Sequence, residues 1–252
     1  MSVPLHPARP RAAHIEPLGD AALRIVLGDT LDPAVNRRVC ALADRIGAAR
    51  AAGGLAAVVD VVPAFSVVGV HYRPEHVPLH GDEGPFAALS RALEPLLHAP
   101  DGPPDPAALR TIEIPVCYGG AFGPDLEEIA GRCGMDADAL VALHQQPAEA
   151  QQVYMIGFAP GFPYIGQLDP VLAVPRRATP RTSMPAGTVC IANRQSVVYP
   201  LAAPGGWNMI GRTPLRLFDP RRAEPCLLRP GDRIRFKAID PAAFAAAQEA
   251  TA

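Results

Sequence analysis

The chain has 252 residues, 49% of them hydrophobic and 19% charged, with a formal net charge of −2. That length supports one large domain or two modest ones, each with a core, and the composition excludes a wholly disordered chain. Thirty prolines and 22 glycines argue against a helical bundle and for short strands joined by turns, while no apolar run approaches the roughly 20 residues that span a bilayer.

The first residues, MSVPLHPARPRAAHIEPLGD, carry no apolar signal-type stretch, and structure is expected to begin near His14. AALRIVL (residues 21–27) predicts a strand. Asp32 can cap a helix with Pro33 at its first position, and Val35, Val39, Leu42 and Ile46 recur at helical spacing until Gly53 and Gly54 stop it. LAAVVDVV (55–62) and SVVGVHY (66–72) predict two strands parted by Pro63, followed by a helix in FAALSRALEPLLH (86–98). Residues 1–98 therefore predict a small α+β domain, and the proline-dense stretch over 99–110 predicts a linker.

Strand patterning restarts at TIEIPVCYG (111–119) and is interrupted at about 124–145 by two helical pieces, the second capped by Asp136 and ending at His144. Beyond residue 150 the chain is β in character: QVYMIGF, TVCIANRQSVVYP, PLRLFDP and CLLRPGDRIRFKAI. A closed barrel over 111–245 accommodates so many short strands without exposed edges.

Residues 1–150 hold 11 Lys+Arg against 19 Asp+Glu and residues 151–252 hold 12 against 6, so the halves carry −8 and +6. Lys237 is the only lysine, so a Walker A loop cannot exist in this chain. No G-x-G-x-x-G follows a strand, no G-x-S-x-G is present, and no nucleic-acid-binding signature appears. His71, His76 and His80 lie close in sequence, but Pro74 and Pro78 break the helix that would align them, and no metal site is expected. The five cysteines are odd in number and widely spaced, which fits reduced thiols in the cytoplasm.

The candidate chemistry lies between 144 and 213. GFAPGFPYIG (157–166) combines Gly161 with Phe158, Pro160, Phe162 and Tyr164: glycine lets backbone approach a ligand, and the rings can wall an apolar site. PRRATPR (175–181) holds Arg176, Arg177 and Arg181 in a proline-stiffened loop suited to clamping an anion. Exposed arginines there are expected to be replaceable at small cost to folding. His144 at a helix C-terminus is placed to be imidazolium and to act as a general acid. APGGWNMIGRTP (203–214) contributes Gly205, Gly206, the sole tryptophan Trp207, and Arg212.

GFAPGFPYIGQLDP, PRRATPRTSMPAGTV and YPLAAPGGWNMIGRTPLRLFDP, with IEPLGDAALRIVLGD and IPVCYGGAFGPDLEEIA before them, resemble the family of 5-oxoprolinase B subunits. That family is also described as allophanate hydrolase subunit 1 or carboxyltransferase subdomain C/D, and it includes the kinase inhibitor KipI. The resemblance covers nearly the whole chain and implies an α+β N-terminal domain followed by an all-β cyclophilin-like barrel. It implies one component of a complex that opens 5-oxo-L-proline to L-glutamate using ATP. The implied partners are a C subunit (the allophanate hydrolase subunit 2 family) and an A subunit of LamB/YcsF type. A KipI-like inhibitor of a sensor histidine kinase and a urea- or allophanate-type carboxyltransferase component are the alternatives. By motif match, the resemblance implies His144, Arg177 and Arg181 as catalytic. It implies Phe158, Pro160, Gly161, Tyr164, Gln195, Tyr199, Gly205, Gly206, Trp207 and Arg212 as contacts for a small anionic substrate. Cys190, Asn193 and Val197 stand where the family has glycines, so the loop there is expected to have lost φ freedom.

Overall fold

A computed structural model describes residues 13–100, 110–146 and 151–249. The expected ragged start and all of the expected linker except residues 99, 100 and 110 lie outside the described residues. The chain divides into two compact units, Met1–Pro104 and Asp105–Ala252.

The first unit carries β1 (His14–Pro17), β2 (Ala22–Val26), α1 (Pro33–Ala51), β3 (Val58–Ala64), β4 (Val67–Tyr72) and α2 (Pro85–His98). Its strands pair antiparallel in the order β1-β2-β4-β3. Asp32 caps α1 as its sequence predicts, its Oδ1 accepting the Ala34 and Val35 N–H groups at 2.7 and 3.0 Å. The helical stripe Val39, Leu42 and Ile46 then packs with Leu23, Ile25, Val68 and Val70 of the sheet and Leu89 and Leu93 of α2. Pro63 does not part the two strands: it lies within β3, and the turn comes two residues later at Phe65 (φ 50°). The buried Asn36 fastens that turn to α1 by donating from Nδ2 to the Phe65 carbonyl at 2.7 Å.

The second unit contains β5 (Thr111–Tyr118), α3 (Leu126–Arg132), α4 (Ala137–His144), β6 (Gln152–Ile156), β7 (Pro163–Gly166), β8 (Arg181–Met184), β9 (Thr188–Ala192), β10 (Gln195–Val198), β11 (Ala203–Gly205), β12 (Asn208–Arg212), β13 (Arg233–Ala238) and α5 (Pro241–Glu249). Seven of these strands follow the order β6-β13-β5-β12-β9-β10-β7, and β7 pairs back onto β6, closing a barrel. Only β13 and β5 run parallel within it. β8 and β11 form a separate two-stranded ribbon.

Strand alternation builds two cores from the same strands. Ile114, Val116, Val153, Ile165, Val189, Ile191, Ile210, Ile234 and Phe236 fill the barrel interior. The intervening residues Cys190, Ala192, Val197 and Met209 face outwards and join Phe162, Met184, Tyr199 and Trp207 in a second core on the barrel wall.

The structure departs from two expectations in this unit. PLRLFDP (214–220) is not a strand: Pro214 and Pro220 bound it, and Asp219 folds back to accept the Arg221 N–H at 3.0 Å, leaving only an isolated bridge between Phe218 and Cys226. Nor is the unit all β. Besides the helical insertion it ends in α5, whose Phe244 is buried and packs against Phe122 at 4.7 Å. No described helix is long and apolar enough to cross a membrane.

Candidate functional site

Asp125, just ahead of α3, is the residue around which the arginine loop is organised. It is 3% exposed and is stitched to β12 twice: its N–H donates to the Met209 carbonyl at 3.0 Å, and its Oδ2 accepts the Met209 N–H at 2.7 Å. Arg181 grips the same carboxylate with both Nη atoms, at 2.9 and 2.7 Å, and Arg177 Nη1 donates to Oδ1 at 2.9 Å. The anion held by these two guanidiniums is therefore one the chain supplies itself. The expectation that both are cheaply replaced is corrected: their side chains are only 33% and 27% exposed, and they neutralise a buried carboxylate. Nothing local in the sequence marks Asp125 for this task, because it sits where a helix cap belongs. Its side chain makes no capping bond.

His144 is likewise corrected. α4 delivers it into the barrel, fully buried, where its ring lies 4.2 Å from that of Phe236. Ser196 Oγ donates to the Cys190 carbonyl at 3.1 Å, so it accepts from His144 Nε2 at 3.0 Å, and Nδ1 accepts the Tyr118 hydroxyl at 2.7 Å. The Ser196 contact places a proton on Nε2, and burial of the ring favours the neutral form, in which Nδ1 is the acceptor. Burial pulls the His144 pKa down to about 3, outweighing the helix C-terminus that would favour the cation. His144 is thus fully buried, and burial disfavours the imidazolium that a general acid would require.

The aromatic candidates do assemble. Phe158 contacts Phe162 at 5.2 Å, Phe162 contacts Tyr164 and Tyr199 at 5.3 and 4.9 Å, and Tyr164 contacts Trp207 at 6.2 Å, forming one continuous row on the outer barrel wall. Gly161 takes φ +74° in the tight turn that starts the row. Phe158 takes φ +68°, a strained choice for a bulky side chain, and that backbone holds its ring 67% exposed beside the exposed Pro160. Gly205 is required by close approach, because a Cβ there would lie 1.9 Å from the Tyr199 hydroxyl. Burial pushes the Tyr164 and Tyr199 phenols up, with the Arg176 charge acting the other way.

Arg176 completes the face. Its guanidinium sits 4.8 Å above the Trp207 ring. The loop bearing it is pinned on both sides: the Arg177 N–H donates to the Gly206 carbonyl at 2.7 Å, and Asn208 Nδ2 donates to the Pro175 carbonyl at 3.0 Å.

Arg212 and Gln195 stand apart from this row. Arg212, at the other end of β12 from Trp207, donates to the Ala186 carbonyl at 3.0 Å. It lines a groove of about 860 Å³ with Arg216, Phe218, Asp219 and Arg221. Gln195 opens β10 opposite Gly166 and Ala192. Asn193 and Arg194, at φ 49° and 63°, make the two-residue turn into β10. Asn accepts that conformation readily, and Cys190 and Val197 fill the outer core where glycine would leave voids. Among the described residues no group of three or more His, Cys, Asp or Glu is gathered to hold a metal.

A family model described as carboxyltransferase domain, subdomain C and D, matches residues 13–228. The 5-oxoprolinase B subunit of Bacillus subtilis (strain 168) is 40% identical over 238 residues, covering 93% of this chain and 96% of the relative. Its counterpart of the same name in Escherichia coli O157:H7 is 42% identical over 222 residues, covering 87% and 93%. Among solved structures, TTHA0988 superposes with a TM-score of 0.73 at 35% identity; this chain has 90% of its own length covered and spans 40% of that protein. The Kluyveromyces lactis urea carboxylase superposes with a TM-score of 0.70 at 17% identity over 93% of this chain and 22% of its own, a likeness of fold alone.

Proposed function

We propose a function from one premise: the chain belongs to the carboxyltransferase family of subdomains C and D. On that premise it is the B subunit of a 5-oxoprolinase complex that opens the lactam of 5-oxo-L-proline to L-glutamate with hydrolysis of ATP. The observation that carries this reading is the match to two relatives of that name at 40% and 42% identity over 96% and 93% of their lengths. The aromatic face supports a role within an assembly. It offers a small ring one wall, with Phe158 exposed on its outer side, and a water-excluding pocket needs a second wall.

The residues present do not suit a triphosphate. The single lysine, Lys237, is paired with Glu113 at 3.3 Å, and two of the three clustered guanidiniums are held by Asp125. ATP is accordingly assigned to the partners, the LamB/YcsF-type A subunit or the C subunit of the allophanate hydrolase subunit 2 family, and no step through it is derived for this chain. The cytoplasm, where both ATP and reduced cysteines are found, is the compartment this function requires.

Co-expression with the A and C subunits from the same genome, followed by an assay of glutamate release from 5-oxoproline and ATP, tests the proposal. The assembled complex is expected to turn over and the chain alone is not. A purified, fully assembled complex without turnover would overturn it.

A further inference from the structure

We infer that Arg176, seated on Trp207, is the residue with which this chain grips the carboxylate of a small cyclic ligand, whose ring lies along the aromatic row towards Phe158. The choice of a lactam acid as ligand rests on the proposed function; the geometry does not.

The three guanidiniums of the 175–181 loop are not equivalent. Arg177 and Arg181 have their charge met by Asp125, and Arg181 spends both Nη atoms on it. Arg176 is exposed and has no ion pair among the described residues; its neighbour is an aromatic face. A guanidinium seated over an indole face leaves N–H donors free for a carboxylate, to which it can offer a two-pronged fork. That contact also removes part of the entropy that a free arginine would lose on binding. The surrounding structure secures this pose rather than leaving it to the side chain. Asn208 holds the Pro175 carbonyl, Gly206 holds the Arg177 amide, and Asp125 anchors the rest of the loop.

The apolar half of the face continues directly from the charged half. Trp207, Tyr164, Phe162 and Phe158 touch in sequence, and the last is exposed on a strained backbone. Strain that presents an apolar ring to solvent is retained when the ring has something to meet. An oxyanion without a carbon skeleton, such as inorganic phosphate, would engage the guanidinium and leave the row uncovered. A cyclic carboxylic acid uses both halves.

Calorimetric titration of the full chain with three probes tests this: 5-oxoproline, 2-pyrrolidinone, which is the same lactam without the carboxylate, and inorganic phosphate. Binding of 5-oxoproline is expected to be at least tenfold tighter than that of either other probe, and Arg176→Gln is expected to weaken it at least tenfold. Arg222→Gln, an exposed change outside the row, should leave it unaltered. Because Arg176 is exposed and makes no ion pair among the described residues, its variant should melt close to wild type, so a loss of binding reads as loss of contact. In the assembled complex, Arg176→Gln should raise KM for 5-oxoproline at least tenfold with kcat within about twofold. Equal affinity for 2-pyrrolidinone or phosphate, no binding by the wild-type chain, or unchanged affinity in Arg176→Gln would each overturn the inference. Carboxylate-dependent binding with no turnover by the complex would sink the 5-oxoprolinase reading alone. Turnover with KM unchanged in the variant would sink this one alone.

Discussion

Asp125 shows how one residue sets the roles of its neighbours. A carboxylate at 3% exposure is tolerable only if it is fully met, and two arginines and a backbone N–H meet it. Asp125→Ala is expected to destabilise the chain by about 3 kcal/mol, the lower end of what breaking a buried pair costs, because both guanidiniums can partly rehydrate. Urea unfolding read by circular dichroism checks this, and a loss under about 1 kcal/mol would show the cluster to be dispensable. Gly205 is a second such position. Gly205→Ala drives a methyl against the Tyr199 hydroxyl and is expected to cost about 1–3 kcal/mol. Adding Tyr199→Phe removes the clashing oxygen and should recover part of that loss. A double variant no more stable than Gly205→Ala would place the strain elsewhere.

At the scale of elements, α4 and the barrel strands act together on His144. The helix ends inside the barrel because Asp136 starts it, with Oδ1 accepting the Ala139 N–H at 2.8 Å, and Gln151 Nε2 takes up the His144 carbonyl at 2.7 Å. A histidine with a folded pKa of about 3 and an unfolded value of about 6.5 binds fewer protons when folded. This contribution to stability is therefore complete above about pH 6.5 and falls as pH drops towards 3, by on the order of 5 kcal/mol in all. Unfolding midpoints at pH 7, 5.5 and 4.5 should decline in the wild type and decline less in His144→Gln; parallel declines would remove His144 as the cause. Element boundaries show what local pattern can carry. α1, capped by Asp32 and striped at Val39, Leu42 and Ile46, follows its sequence closely. β12 is not among the strands read from the sequence: Asn208–Arg212 carries Gly211 beside Trp207 and is a strand by virtue of its pairing between β9 and β5. PLRLFDP carries the apolar residues of a strand but has no partner to pair with beyond one bridge.

At the scale of the whole molecule, the aromatic face is a single open wall, and the proposed function places ATP on partner subunits, so activity is expected only from the assembly. The glutamate-release assay on the complex is the test at this scale, with the Arg176 kinetics nested inside it. Much of the organisation follows from residue order alone. Alternation and helical stripes require two-faced strands and one-faced helices, prolines and glycines punctuate them, and a single lysine denies the chain a phosphate loop. These are local rules, satisfied within a few residues of backbone. The aromatic row was likewise legible, because its glycines and rings are dense in sequence. What only the tertiary structure decided is which charges are spent. Asp125 lies 52 and 56 residues from Arg177 and Arg181, and His144 lies 52 from Ser196. Solvation and pairing depend on distance in space. The fold thus buried the expected acid, neutralised two of the expected clamps, and left Arg176 on the tryptophan with no carboxylate among the described residues to meet its charge.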